Sequence, residues 1–141
     1  MDMKSLASQA RIMSEAGSQF LIQYDEIIKE LLNRKDLSAE ESLQKEILIE
    51  LTEHIYGIRH IAEYLERTKL CTGTLNRNKT NEIEFNGEVL PLMTELEVYV
   101  RDEFLNQNVW TRVFVGCFDK TYLVGLKKDF VIKEIPARIR K

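Results

Sequence analysis

The chain has no long apolar run. Within its 141 residues the longest stretch free of Asp, Glu, Lys and Arg is the nine residues Ala16 to Tyr24, far short of the roughly 20 apolar residues a membrane-crossing helix needs. No basic segment followed by an apolar one opens the chain, so a cleavable secretion signal is not expected and the reading is of a cytoplasmic protein without a membrane partner. Cysteine is scarce. Cys71 and Cys117 lie 46 residues apart, without the Cys-x-x-Cys spacing of a zinc ribbon or redox pair, and are expected to be two buried or half-buried thiols of a reducing compartment. The only histidines, His54 and His60, fall on different faces of a helix, whereas a metal pair wants i,i+3 or i,i+4 spacing. Glu50 with His54 and His60 with Glu63 have that spacing, but a di-metal bundle would repeat Glu-x-x-His on a second helix, so no metal site is expected. The glycines at 17, 57, 73, 87, 116 and 125 never cluster into a phosphate-cradling loop, and no Gly-x-Ser-x-Gly occurs. No catalytic residue and no cofactor is assigned. Glu82, Glu84, Glu95 and Glu97 read as the outer faces of strands.

What is present suits a folded domain: 44% hydrophobic and 30% charged residues exclude collagen-like, low-complexity and strongly disordered classes. The net charge of −3 conceals an asymmetry. Up to residue 70 there are 9 basic and 13 acidic residues, net −4; beyond it there are 11 and 10, net +1. All eight valines, five of six phenylalanines and both prolines lie in the second half, and five of six alanines in the first. Valine and phenylalanine fit a pleated surface and alanine fits a helix, so the chain reads as helical over 1–70 and β over 71–141.

In the first half Phe20, Tyr24, Ile27, Ile28, Leu31 and Leu32 recur at helical spacing, predicting a helix from Ser5 to about Arg34, with a break or kink at Gly17-Ser18. Ser38-Ala39-Glu40-Glu41 is a capping box that starts a second helix. Its stripe is Leu43, Ile47, Leu51, Ile55, Ile58, Ala62 and Leu65, and it should end near Lys69, with Arg67 and Lys69 complementing the macrodipole. Two such helices make an antiparallel hairpin. Leu48, Ile49, Ile61 and Tyr64 lie off the stripe and form a second apolar face, to be covered by the β half or by another copy in a homodimer.

The second half turns to period two after Gly73. Ile83 and Phe85, the turn pair Asn86-Gly87, Val89-Leu90, Leu96 to Val100, Val109 to Val115, Tyr122 to Leu126, Phe130 to Ile132 and Ala137 to Ile139 predict five to seven short strands, with a loop over 102–108. Such strands without intervening helices indicate a small antiparallel barrel, SH3-like by preference, giving an α+β chain of N-terminal antiparallel helical hairpin and SH3-like β-barrel. Trp110, the only tryptophan, is expected to plug the barrel or seal its end rather than offer a stacking platform. Basic residues Arg112, Lys127, Lys128, Arg138, Arg140 and Lys141, interleaved with Tyr99, Trp110 and Tyr122, form a candidate nucleic-acid face, acting by phosphate pairing and base stacking.

Gly73-Thr74-Leu75, Leu96-Glu97-Val98, Trp110-Thr111-Arg112, Thr121-Tyr122-Leu123-Val124-Gly125-Leu126 and Ala137-Arg138-Ile139 together give the β half a resemblance. It looks like a family of uncharacterised small β-barrel proteins carried on mobile elements and phages of Gram-positive bacteria. The resemblance implies a mobile-element cargo protein and carries over no catalytic residue. The function expected is non-enzymatic docking on a protein or nucleoprotein partner, such as a CRISPR effector of host defence, which makes an anti-CRISPR role the most concrete option. The alternative is a nucleic-acid-binding regulator working through the barrel.

Overall fold

A computed structural model describes residues 1–141, which divide into two compact units, 1–67 and 68–141. In the first unit, helix α1 (Met3–Asn33) and helix α2 (Ala39–Glu66) pack on each other as a hairpin. Asp2 caps α1 by accepting from Ser5 N–H at 2.7 Å. The Ser38 box forms as read: Glu41 N–H donates to Ser38 Oγ at 3.2 Å and Ser38 N–H to Glu41 Oε2 at 2.9 Å. Arg34 closes the turn by donating to Glu41 Oε1 at 2.9 Å. The Ser38 N–H, then Arg34, hold the Glu41 carboxyl below the usual range.

Three expectations for this unit are corrected. Helix α1 runs through Gly17 without a break, because there the missing side chain admits the partner helix: a Cβ on Gly17 would sit 2.8 Å from Ile55 Cγ2. Helix α2 ends at Glu66, with Arg67 as its cap and no basic residue in its last turn. Its inner stripe is also shifted. Leu43, Ile47 and Leu51 are exposed, while the supposedly outlying Leu48 is half-buried and Tyr64 is buried; Ile49 and Ile61 remain exposed. The helices meet along a seven-residue repeat, Ala7, Ala10, Ser14, Gly17, Leu21, Tyr24, Ile28 and Leu31 on α1 and Lys45, Leu48, Thr52, Ile55 and Ala62 on α2. Neither helix is long and apolar enough to cross a membrane.

The second unit is one antiparallel sheet of seven strands: β1 (Leu70–Arg77), β2 (Ile83–Phe85), β3 (Glu88–Val89), β4 (Glu95–Asp102), β5 (Gln107–Cys117), β6 (Thr121–Val124) and β7 (Ile135–Arg140), in the order β3-β2-β1-β7-β4-β5-β6. The last strand is central, with Leu70↔Arg140 to Leu75↔Ile135 on one side and Glu97↔Arg138 on the other. Alternation drives the curl. Leu75, Leu96, Val98, Val113, Val115 and Ala137 point to one concave face and, with Ile83, Val100, Leu123 and Ile132, make the core. Asn86 and Gly87 both have positive φ (51° and 84°), the turn geometry read from the sequence.

The expected barrel is realised as a curled half-barrel, since its end strands β3 and β6 do not pair with each other. Side chains span the gap instead: Arg77 donates to the carbonyls of Asn81 (2.7 Å) and Thr121 (3.0 Å), and Thr121 Oγ to Asn81 O (2.9 Å). Strand β1 was not foreseen before Gly73. Phe130–Ile132 is not a strand, although Ile132 is buried and its carbonyl accepts from Arg77 N–H at 3.1 Å. The 102–108 loop contracts to four residues, Asp102 pairing with Gln107. Strand β6 stops at Val124 because Gly125 (φ 113°) turns the chain away. Cys71 is half-buried as expected, whereas Cys117 is exposed.

Candidate functional site: the outer face of the half-barrel

On the convex face of β4, β5 and β7 the side chains between the core positions form a polar and aromatic surface. Register places Tyr99 opposite Trp110, and Glu97 between Arg112 on β5 and Arg138 on β7. Glu97 is the organising residue. It lies on the outer face, as read, yet only 8% of it is exposed, because two arginines close over it. Arg138 donates through Nε to Oε2 at 3.1 Å and through Nη2 to Oε1 at 3.3 Å; Arg140 makes the same two bonds at 3.0 and 3.1 Å. Both pairs are bidentate, the geometry that holds a guanidinium in one orientation. Burial pushes the Glu97 carboxyl up, but the hydrogen bonds and charges of Arg140 and Arg138 outweigh it and hold the group below the usual carboxylate range.

The fixed Arg138 guanidinium lies over Trp110, 4.1 Å from the ring centroid, and Tyr99 tilts against the same ring at 5.2 Å and 43°. Such cation–π and tilted aromatic contacts stiffen exposed rings. Trp110 therefore does not plug the barrel: it stands on the outside, 39% exposed, as is Tyr99. The core needs no such plug, because Leu75, Leu96, Val98 and Val115 already fill it. Arg112 reaches toward Glu95 at 3.7 Å and leaves 41% of its side chain exposed.

The candidate nucleic-acid residues thus separate. Tyr99, Trp110, Arg112, Arg138 and Arg140 come together, with much of the basic charge of this patch answered by Glu95 and Glu97. Lys128 stands elsewhere, over the rings of Phe118 (4.2 Å) and Tyr122 (5.6 Å) at the β5–β6 turn. Lys127 lines a surface hollow with Val100, Arg101, Thr111 and Leu126. Lys141 exchanges backbone hydrogen bonds with Lys69 at 2.8 and 3.2 Å, and its side chain is exposed. The sequence pattern placed Glu97 on the outer face without its role as arginine partner, and Phe118 was not among the expected site residues. For Glu97 a signal existed: Glu95-x-Glu97 and Arg138-x-Arg140 have the same period of two and opposite charge, the pattern of facing strands. On the hairpin His54 lies 3.9 Å from Glu50 and is largely exposed.

These features define the class of molecule: an α+β chain of helical hairpin and curled antiparallel half-barrel, with an ordered arginine and aromatic cluster on the convex sheet face. No family model, no curated protein and no solved structure matches the chain.

Proposed function

We propose that the protein is a non-enzymatic docking protein whose half-barrel presents Tyr99, Trp110, Arg112 and Arg138 to a macromolecular partner. One observation carries this reading: Glu97 clamps Arg138 against Trp110, giving a preordered, half-exposed patch of the residue types that dominate binding hot spots. Preordering lowers the entropy lost on association. The SH3-like form expected of the sheet belongs to this proposal, supported by short antiparallel strands bent round a single core. So does the cytoplasmic, mobile-element setting that the sequence resemblance implies, in which the partner is a protein or nucleoprotein of host defence such as a CRISPR effector. The acidic hairpin, with 8 basic and 13 acidic residues over 1–67, would speed encounter with a basic surface of that kind.

The test is affinity capture from a Gram-positive host lysate with the wild type and with a Trp110→Ala/Arg112→Ala variant. A partner retained by the first and lost by the second, then rebound in purified form, is the expected result. Equal retention by both would refute docking through this face. A second reading, nucleic-acid binding, is favoured by one feature, the stacking of Lys128 on Phe118 and Tyr122. It requires a mobility shift of DNA or RNA at low salt that weakens steeply as salt rises and that Lys128→Ala diminishes.

A further inference from the structure

The hairpin raises a separate question, because its own seam buries so few residues. Helix α1 has no buried residue over its 31 positions, and α2 has only Ile55, Ala62 and Tyr64. The seam is thin at one end: Ala7, Ala10, Ser14 and Gly17 of α1 and Thr52 and Ala62 of α2 are small or polar, and the larger Leu21, Tyr24, Ile28, Leu31 and Leu48 are only half-buried. Small and polar residues at these positions bring the helices close but remove little apolar surface from water.

The apolar surface lies beside the seam instead. On α1, Leu6, Met13, Phe20 and Ile27 repeat every seven residues next to the inner line, and Leu6, Met13 and Ile27 are exposed (41%, 57% and 50%). On α2, Leu51, Ile58 and Leu65 do the same, flanked outward by Ile47 and Ile61. With α1 and α2 antiparallel and Gly17 against Ile55, the two lines border the same side of the seam. The opposite side mixes Arg11, Asp25 and Glu63 with the exposed Leu32, Ile49 and Tyr56, and there Arg11 approaches Glu66 at 3.9 Å. The two faces thus differ in charge: one mixes charged with apolar groups, the other is apolar. Between Leu6 and Ile27 and between Ile47 and Leu65, the only ionisable group on the apolar lines is His54.

We infer that this face is closed by a second copy of the chain, two hairpins forming an antiparallel four-helix bundle. Size is the first argument. Two helices about 42 Å long and about 10 Å wide offer about 800 Å², the area each partner contributes to a standard stable interface. Charge is the second. The unit carries a net −5, from 8 basic and 13 acidic residues over 1–67, yet keeps that charge off the apolar lines, so two like-charged copies meet without opposing charges at the centre. An apolar face of this kind suits a second copy, because homodimer interfaces are the more apolar kind. The arrangement follows bundle geometry, with neighbouring helices crossing at about 20°. Such a dimer would present two copies of the sheet face, but it stands on the hairpin alone and does not rest on the docking proposal.

Light scattering of the full chain is the test. A mass twice 16.5 kDa is expected at micromolar concentration. Met13→Lys combined with Leu51→Lys should give a monomer whose sheet is intact by NMR, with the dissociation constant raised about 30-fold or more. Ile22→Lys, exposed but off the face, should stay dimeric. Trp110→Ala should also stay dimeric, which separates this inference from docking through the sheet. If the double variant does not fold, the wild type still decides: the helical melting temperature should rise between about 1 and about 100 µM, as it must when folding and dimerisation are coupled. A wild type that is monomeric at about 100 µM, a melt independent of concentration, or a dimer that survives both lysines would overturn the inference.

Discussion

The hairpin and the half-barrel are of similar length and hold themselves together in different ways. The sheet unit, 68–141, buries ten core residues, seven of them with under 2% exposure. The hairpin, 1–67, buries three, all on α2, and leaves Met13, Ile22, Ile27, Ile47 and Ile61 at 44% exposure or more. The difference teaches where stability resides. A curled sheet covers its own concave face, whereas two helices bury at most one stripe each, and in this pair about half of that stripe is alanine, serine, glycine, lysine and threonine. The half-barrel covers its own core, whereas the hairpin leaves much of its apolar surface exposed.

The largest effect should come from the sheet core. Leu96→Ala removes a fully buried side chain flanked by Val98 and Val113 and should cost about 2–5 kcal/mol in denaturant unfolding, in line with large-to-small core substitutions. Comparable loss from Ile28→Ala in α1 would erase the contrast between the units. Next is Glu97→Gln, which leaves Arg138 and Arg140 without their shared carboxylate. It should cost about 1–3 kcal/mol and loosen Trp110, visible as a fluorescence change, since Arg138 would no longer be pinned over the ring. Acid tests the same clamp. A carboxyl whose folded pKa lies below its unfolded value stabilises the fold above the unfolded pKa, and that contribution fades as pH falls through the folded one. Stability of the sheet unit should therefore drop below about pH 4, and Glu97→Gln should flatten that drop. An unchanged acid limb in the variant would show that Glu97 is not the group responsible. On the hairpin side, Ser38→Ala removes the acceptor for Glu41 N–H and should cost about 1 kcal/mol, read as lost helical signal on heating.

How much of this was legible depended on whether the signal was local. The Ser38 box, the Asn86-Gly87 turn and the alternation from Leu96 to Val100 are each written in a few consecutive residues, and all three stand as read. The failures share a non-local cause. Leu70–Arg77 has weak alternation and becomes a strand because β7 returns beside it; Gly17 reads as a helix breaker until Ile55 is known to need its space. The α2 stripe slipped because Leu43, Ile47 and Leu51 are as apolar as Leu48, so periodicity alone could not tell inner from outer. Trp110 was assigned inside on bulk, though strand parity with the outward Tyr99 puts it outside. Among the site residues, composition found the arginines and aromatics, but not the glutamate that assembles them.

The smallest effect is the most discriminating for the hairpin. Ile22 is 71% exposed, more than Met13, Ile27, Ile47 or Ile61, and by exposure alone would be the first candidate for a contact residue. Its place in the seven-residue repeat says otherwise. It stands among Glu15 and Lys29, one repeat before and after it, on the outer side of α1, away from the line of Leu6, Met13, Phe20 and Ile27. Ile22→Lys should therefore shift the unfolding midpoint by no more than about 0.5 kcal/mol, as for a surface substitution that breaks no packing. Equilibrium unfolding at fixed protein concentration measures it directly. A loss several times larger would place Ile22 in an interface and move the proposed contact face about two-fifths of the way round α1, so this single position tests which side of the helix a second copy would cover.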